Sequence, residues 1–170
     1  MRRFLALALI IGISAVSFAE PGSSPRDPIY MLLVPSTEGA TVEAIGKEIA
    51  KAIYDLTGLY VVANLQADYT AMIEAFAASD GDTFGLPTTG QYIRIYERTN
   101  GNVSPRLGSV RYGYPYYYAS VYAHRDSGIE TVEDLDGKVW IYNDTGSTSG
   151  YVFPNMLFEQ NRIEFSRVVT

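Results

Sequence analysis

Residues 29–65 read "IYMLLVPSTEGATVEAIGKEIAKAIYDLTGLYVVANL", and two strand patterns in this stretch flank a helix pattern. The opening apolar run is closed by Pro35, which predicts a short buried strand. Ser36-Thr37-Glu38 is a helix-start signal, and Gly58 is a typical helix end. Between them an apolar stripe recurs at spacings of three and four, which predicts one inward helix face. The stripe consists of Val42, Ile45, Ile49, Ile53 and Leu56. "YVVANL" (60–65), a run of β-branched and apolar residues, predicts a second strand.

The alternation of strand and helix continues over residues 66–98. Asp68 is placed to cap a second helix, and the turn at Asp80-Gly81 is placed to end it. The inward residues of this helix are expected to be Met72, Ile73 and Phe76. "TFGL" (83–86) predicts a third strand and "TTGQYIRIYER" (88–98) a third helix. Alternating strands and helices indicate an α/β fold with parallel strands, in which ligands bind beyond the carboxyl ends of the strands.

The composition changes beyond Gly101, where six tyrosines lie between Tyr112 and Tyr122. Read as extended chain, this segment predicts a long strand or a pair of strands with aromatic residues on both faces. Two interpretations stay open at this point. The tyrosines either lie half in a core, or they line a cleft with phenol O–H donors on a segment that crosses between two lobes.

A third region, residues 131–161, begins with a short helical turn that Thr131 caps, with Asp134 as its capping-box partner. "KVWIYN" (138–143) predicts a strand, and "SGYVFPNMLFEQN" (149–161) predicts a helix. Pro154 is tolerated there because it lies in the first turn. The inward residues of this helix are expected to be Val152, Met156 and Leu157.

Between that strand and that helix lies Gly146-Ser147-Thr148-Ser149-Gly150, three hydroxyl residues enclosed by two glycines. A nucleophilic serine on a strand-to-helix elbow follows the pattern Gly-x-Ser-x-Gly, but here the central residue is Thr148. The only histidine, His124, precedes the cluster, so a hydrolase is a remote alternative. The other chemistry is an anion site made of hydroxyls and the free N–H groups of a helix N-terminus. A plain Ser/Gly-rich loop that caps its own helix explains these residues equally well.

The first nineteen residues place Arg2 and Arg3 before the apolar run "FLALALIIGISAVSF" and a small-residue site ending at Ala19. This pattern predicts a signal peptide at 1–19, and hence an exported, soluble, periplasmic protein. A Pro/Gly/Ser-rich linker is expected at 20–28. The chain has no cysteine, so no disulfide framework is available. With 13 basic and 19 acidic residues the chain is acidic, which argues against nucleic acid as a partner. Helix dipoles and hydroxyls act locally, however, and still allow a small anion to bind.

Four segments together resemble the substrate-binding proteins of phosphate, phosphite and phosphonate ABC transporters. They are "VPSTEGATVEAI" (34–45), "DYTAMIEAF" (68–76), "YYYASVYAHRDSGIETVEDLDGK" (116–138) and "NDTGSTSGYVFPNMLFEQN" (143–161). The last two are the specific ones. The resemblance covers about residues 29–163 and implies a two-lobed α/β fold that closes on its ligand. Lobe 1 would span 29–115 and be largely present. The crossing strand and the start of lobe 2 would span 116–170, so the second lobe would be incomplete.

The resemblance also implies the function and the residues that perform it. Ser147, Thr148 and Ser149 would hold the oxyanion, Tyr69 would reach it from lobe 1, and Tyr117 would reach it from the crossing strand. Thr88 and Ser36 would line the same cleft. The protein would be a monomer, would bind its ligand without catalysis, cofactor or metal, and would deliver it to a membrane permease with its ATPase. The remaining alternatives are a sensor ectodomain of the same fold, a truncated fragment without function, and a serine hydrolase.

The chain departs from the family pattern in two ways. Family members are about twice as long, so an acidic residue of lobe 2 that accepts a hydrogen bond from the ligand is expected to be missing. A glycine is expected after the last helix because the left-handed C-cap favours it. Arg162 stands at that position instead.

Overall fold

The computed structural model describes residues 20–170, so the predicted signal peptide lies outside the described residues. Five strands and four α-helices alternate along the chain, with two 3₁₀ turns and one π-helical turn. The elements are β1 (Ile29–Leu33), α1 (Gly39–Thr57), β2 (Val61–Leu65), α2 (Tyr69–Ala77), β3 (Thr83–Gly85), α3 (Thr89–Arg98), the 3₁₀ turns Arg125–Ser127 and Glu133–Leu135, β4 (Val139–Ile141), the π-turn Thr148–Val152, α4 (Phe153–Gln160) and β5 (Arg167–Val169). The α/β fold is thereby confirmed.

Residues 29–98 form what we call the N-terminal unit, a three-stranded parallel sheet in the order β2-β1-β3 with helices on both faces. Successive side chains of β1 point to opposite faces of the sheet. Met31 and Leu33 pack with Ala50 of α1 on one face. On the other face, Leu32 packs with Tyr69 and Met72 of α2. The three predicted strands and the parallel pairing are therefore confirmed, and each face of the sheet has its own core cluster.

The predicted apolar stripe of α1 is correct in part. Val42 and Ile53 are half-buried, and Val42 packs against the core cluster on this face of the sheet. Ile45, Ile49 and Leu56 are exposed, so the prediction is wrong for them, while Gly46 and Ala50 are buried against the sheet. A side chain at Gly46 would meet Leu33 Cδ1 at 2.5 Å, so the helix approaches the sheet through its small residues rather than through its large ones. The predicted end of the helix is confirmed, because Gly58 is its left-handed C-cap. At the other end Glu38 is the N-cap and makes no side-chain cap hydrogen bond.

The helix α2 begins at the predicted cap, and α3 begins within the predicted range 88–98. Asp68 Oδ1 accepts a hydrogen bond from the Ala71 N–H at 2.7 Å and caps α2. Thr88 and Gln91 form a reciprocal capping box at the start of α3. As predicted, Met72 and Ile73 are buried, and Phe76 is half-buried. Both helix N-termini are therefore fixed by side chains.

The tyrosine-rich segment, residues 103–123, contains no strand, so the predicted strand or strand pair is wrong. Its regular pairing is limited to one bridge between Arg111 and Tyr114. Six tyrosines of the segment are exposed, with Tyr122 at 90%. A β-pattern produces a strand only where a neighbouring strand completes the hydrogen-bond ladder. Within residues 20–170 no strand pairs with this segment along its length.

Residues 139–169 form the C-terminal unit, in which β4 and β5 pair in parallel. An aromatic cluster fills this unit, and the single tryptophan, Trp140, is stacked on Tyr151 at 5.2 Å between ring centroids. Residues around Trp140 in this cluster are Tyr142, Phe158 and Phe165. The predicted strand at 138–143 is confirmed, with β4 at its centre.

The inward residues of the last helix were predicted wrongly. Val152, Met156 and Leu157 are exposed, while Pro154 and Phe158 are buried. The buried face is the one that meets the aromatic cluster, since the Phe158 ring lies 4.9 Å from the rings of Trp140 and Phe165 between centroids. The helix follows the π-turn, in which the Val152 N–H donates to Ser147 O at 3.1 Å. Pro154 lies in the first turn of α4, as predicted.

The remaining signals for helix ends are the Thr131–Asp134 pair and Arg162. Asp134 accepts hydrogen bonds from the N–H and hydroxyl of Thr131, so the pair forms, although the Thr131 hydroxyl donates rather than caps. Arg162 adopts the left-handed conformation with φ 56° that favours glycine. The Ile163 N–H donates to Phe158 O, which is the hydrogen bond of a Schellman cap. The expected cap geometry is thus present with arginine in place of glycine.

Candidate functional site

The hydroxyl loop, residues 146–150, follows β4 and opens the π-turn. Ser147 is buried and caps the turn, since its Oγ accepts a hydrogen bond from the Gly150 N–H at 3.1 Å. Its own N–H donates to Asp144 O at 3.1 Å. The N–H groups of Thr148 and Ser149 donate no hydrogen bond to any residue of 20–170. The hydrogen bonds of Ser147 therefore hold the loop in place, and the N–H groups of Thr148 and Ser149 remain available as donors.

The N-terminus of α3 contacts this loop from the N-terminal unit. The Gly90 N–H donates to Thr148 Oγ1 at 3.3 Å, and the Thr88 hydroxyl donates to Gly146 O at 3.4 Å. Both hydrogen bonds join residues 58 positions apart in the chain. The loop and the start of α3 thus face each other across the boundary between the two units.

Tyr69, the first residue of α2, lies beside the same loop and is only 3% exposed. Burial is the main cause that raises the pKa of its phenol above 10, and the charge of Asp144 adds to the increase. The polar side chains of Ser147 and Asn143 lower the pKa of the phenol and oppose part of this shift. Its backbone carbonyl accepts from Gln91 Nε2 at 2.8 Å, which ties α2 to α3. At neutral pH Tyr69 is therefore a protonated phenol that can donate a hydrogen bond.

Tyr117, from the tyrosine-rich segment, reaches the loop from another side. Its phenol oxygen lies 3.2 Å from Ser149 Oγ, and either atom can donate. The guanidinium of Arg111 lies 5.1 Å from the centre of the Tyr117 ring, a cation–π distance. One tyrosine of the exposed segment is therefore fixed at the loop, although the segment forms no strand.

The structure brings together most of the residues that the sequence singled out. Tyr69, Tyr117, Ser147, Thr148 and Ser149 form one group, and Thr88 joins it through its bond to Gly146. Ser36 does not join the group through a side-chain hydrogen bond within residues 20–170. It is exposed after β1, and its N–H donates to Val34 O at 2.8 Å.

The electrostatics of the site favour a negative ligand. The helices α2 and α3 and the π-turn all begin at this group of residues. Each helix N-terminus carries partial positive charge. The donors are hydroxyls, phenols and main-chain N–H groups. No group of three or more His, Asp or Glu residues within 20–170 could hold a metal ion. The arrangement can bind an oxyanion through hydrogen bonds.

Sequence reasoning missed two participants, Asp144 and Gly90. Asp144 Oδ1 accepts from the Gly146 N–H at 2.6 Å and so orients the start of the hydroxyl loop. An aspartate two residues before a glycine is a turn signal that could have identified it. Gly90 has no comparable signal, because its role depends on the contact between the two units. A cavity of about 30 Å³ lies behind this contact and is lined by Thr70, Gln91 and Arg94 among others.

His124 is not part of this group. It is exposed, and its Nδ1 accepts a hydrogen bond from the Asp126 N–H at 3.2 Å, within the same 3₁₀ turn. No hydrogen bond joins His124 to Ser147 or Ser149 in the part of the chain that the structure describes. The geometry therefore gives the hydrolase alternative no support.

Comparisons with known proteins agree on one family. The family model for the periplasmic substrate-binding protein of phosphonate ABC transporters matches residues 31–170. The phosphate-import protein PhnD of Mycolicibacterium smegmatis is 26% identical over 132 residues, which are 75% of this chain and 40% of that protein. Among solved structures, a binding protein component of an ABC phosphonate transporter from Pseudomonas aeruginosa matches with a TM-score of 0.69 and 20% identity. The match covers 83% of this chain and 49% of that one.

This chain thus spans less than half the length of either relative. The structural match shows the periplasmic-binding-protein fold, and the family model describes binding rather than catalysis. No helix among residues 20–170 is long and apolar enough to cross a membrane. Because the family model matches most of the chain, the protein belongs to the family of periplasmic substrate-binding proteins of phosphonate ABC transporters.

Proposed function

We propose that this protein captures a phosphate, phosphite or phosphonate-type oxyanion between its two units for import by an ABC transporter. The observation that carries the proposal is the meeting of Tyr69, Tyr117 and the hydroxyl loop at three helix N-termini. The two named relatives, a phosphate-import protein and a phosphonate-transporter component, point to the same ligand class.

The direction of the hydrogen bonds supports an acceptor ligand. Ser147 Oγ already accepts from Gly150, and Thr148 Oγ1 already accepts from Gly90, so each hydroxyl has its proton left to donate. The N–H groups of Thr148 and Ser149 add two donors, and the phenol of Tyr69 adds a third. A tetrahedral oxyanion offers several acceptor oxygens to such a set. Hydrogen bonds to a charged partner contribute about 1.5 to 3 kcal/mol each.

Fixed dipoles also suit a protein that must release its ligand. In this proposal the site binds the anion without a cationic side chain on it, and the attraction decreases when the two units separate and water enters. Residues 29–115 would then act as the first lobe, and residues 116–170 would supply the crossing segment and the start of the second. The protein would work as an exported monomer that docks on a membrane permease.

The proposal is tested by a ligand screen on the purified chain. Trp140 provides the signal, because it stacks on Tyr151 two residues after Ser149 and is the only tryptophan. We expect phosphate, phosphite, methylphosphonate or aminoethylphosphonate to change its fluorescence and to raise the thermal midpoint. Sulfate serves as the comparison anion, because it tests whether any tetrahedral dianion suffices. A chain that binds none of the phosphorus oxyanions by calorimetry would overturn the proposal.

A further inference from the structure

Gly146 lies where the hydroxyl loop approaches Tyr69 of the N-terminal unit. A Cβ atom built on it would be 2.7 Å from Tyr69 Cβ, 3.4 Å from Tyr69 Cγ and 3.1 Å from Asp144 Oδ1. Carbon atoms in contact are best separated by about 3.5 to 4.0 Å, so no side chain fits there. Tyr69 cannot easily yield, because its Cβ is fixed by the backbone of α2 and its ring is buried.

The backbone of Gly146 does not itself require glycine. Gly146 is not among the residues with positive φ, so alanine could adopt the same backbone conformation. Only the contact with Tyr69 and Asp144 excludes a side chain. Glycine at this position is therefore explained by the packing of the loop against Tyr69 rather than by a turn.

Two hydrogen bonds fix the register of this contact. The Thr88 hydroxyl donates to the carbonyl of Gly146 itself, and the Gly90 N–H donates to Thr148, two residues further along the loop. The loop is therefore seated on α3 by hydrogen bonds and against Tyr69 by van der Waals contact. We call these four residues, Thr88, Gly90, Gly146 and Thr148, together with Tyr69, the interunit seat.

We propose that Gly146 is a positioning residue that sets the distance between the two units in the closed, ligand-holding state. Its missing side chain lets the hydroxyl loop approach Tyr69 closely enough for donors from both units to reach the same ligand. A side chain at 146 holds the units apart, so that donors of one unit lose the ligand while each unit remains folded. The inference rests on the proposed function. It adds that the Gly146 contact limits how closely the two units approach each other.

Two alanine substitutions provide the test, one inside the seat and one outside it. Gly146→Ala places a methyl group against Tyr69, whereas a methyl group at Gly108 meets nothing within 4 Å. We expect Gly146→Ala to weaken binding of the oxyanion found for the unmodified chain about tenfold to a hundredfold, the loss of one hydrogen bond to a charged ligand. Gly108→Ala should bind within about threefold of the unmodified chain, because a methyl group in open space needs no separation of the units.

A distance measurement separates positioning from simple damage to the fold. The chain has no cysteine, so spin labels can be attached at Glu48→Cys on α1 and Gln160→Cys on α4, both exposed positions. With saturating ligand, we expect the distance between the labels to increase in the order unmodified chain, Gly146→Ala, Gly146→Val. The thermal midpoints without ligand should remain close to one another, and the weaker binding should appear as faster ligand dissociation.

The outcomes distinguish this inference from the proposed function. If the unmodified chain binds an oxyanion and Gly146→Ala binds it equally well at an unchanged label distance, the positioning role is wrong and the proposed function stands. If both alanine variants weaken binding equally, the specific contact with Tyr69 is not what limits closure, and the inference again fails. If the unmodified chain binds no phosphorus oxyanion, the proposed function and the inference fall together.

Discussion

The two units of the chain are held together in different ways. In the N-terminal unit, every residue of β1 from Met31 to Leu33 is buried, and helices cover both faces of the sheet. The C-terminal unit has only two strands of three residues each, and its packing depends on the rings around Trp140. The first unit is thus a scaffold that presents Tyr69 and the start of α3, while the second presents the hydroxyl loop.

This difference teaches that stability and binding are carried largely by different residues, with Tyr69 contributing to both. Aliphatic side chains of the N-terminal unit contribute burial, and the donors that point at the proposed ligand are mostly on the C-terminal unit. Substitutions in the core should therefore change the free energy of unfolding, whereas substitutions in the loop should change affinity. The variants below test this separation.

The largest expected effect comes from removing two hydroxyls at once, Ser147→Ala with Thr148→Val. Each hydroxyl is proposed to donate to the charged ligand, so their loss should cost about 3 to 6 kcal/mol of binding free energy. Loss of the Ser147 cap should cost only about 0.5 to 2 kcal/mol of stability. Calorimetry and urea unfolding measure the two quantities. Thr145→Val, one residue before the loop and exposed, is the control, and retained binding in the double variant would place the site elsewhere.

The converse variant is Met72→Ala in the core of the N-terminal unit. Met72 is fully buried beside Leu32 and Val34, so the cavity should lower the free energy of unfolding by about 2 to 5 kcal/mol. Tyr122→Ala, in the exposed tyrosine-rich segment, should change it by no more than about 0.5 kcal/mol. Equal losses in urea unfolding would contradict the assignment of the core.

Tyr69→Phe tests the one buried donor that the N-terminal unit contributes. Removing the hydroxyl should weaken ligand binding by about 0.5 to 3 kcal/mol, the range for one hydrogen bond to a buried or charged partner. Tyr116→Phe is the matched control, because Tyr116 is exposed and its hydroxyl makes no hydrogen bond within residues 20–170. Unchanged affinity in Tyr69→Phe would place the phenol outside the ligand contacts.

Tyr117→Phe should have a smaller effect than Tyr69→Phe. The Tyr117 hydroxyl is exposed and shares its hydrogen bond with Ser149, so its loss should cost about 0.5 to 1.5 kcal/mol of binding. A loss larger than that of Tyr69→Phe, measured by the same titration, would reverse the order of importance of the two phenols.

The smallest effect concerns alkaline stability. Burial raises the pKa of Tyr69 above 10 in the folded chain, so the folded state holds this proton more tightly than the unfolded state. The associated stability is fully present below pH 10 and is lost as the pH rises through the raised value. Tyr69→Phe should therefore lose less stability between neutral pH and pH above 10 than the unmodified chain. Identical pH profiles in urea unfolding would contradict the burial of this phenol.

The sequence predicted the N-terminal unit well because each of its strands has its neighbours in the same part of the chain. Asp68, as the cap of α2, and Gly58, as the end of α1, are local signals, and local signals suffice where the pairing partners follow within a few dozen residues. The stripe of α1 was only partly correct because Gly46 and Ala50 pack against the sheet, and small residues are invisible to a pattern of large apolar ones. Propensity could not reveal that residues 103–123 have no pairing partner.

The residues of the candidate site were predictable from the family resemblance, but their geometry was not. Nothing local in the sequence indicates that Gly90 and Thr88 meet the hydroxyl loop 58 residues later, because that contact depends on how the units pack. The π-turn was equally hidden, and so was the packing of Phe158 on Trp140 and Phe165, which sets the buried face of the last helix.

An NMR titration with phosphate and with methylphosphonate tests the central claim most directly, because it locates the ligand residue by residue. The N–H groups of Thr148 and Ser149 have no partner within residues 20–170, so they should report a new hydrogen bond directly. We predict that their amide signals shift most in the ¹H–¹⁵N spectrum, with those of Gly90 and Tyr69 next, while Gly58 and Gly81 remain unchanged. Saturable binding that leaves Thr148 and Ser149 unshifted and moves signals elsewhere would contradict the account.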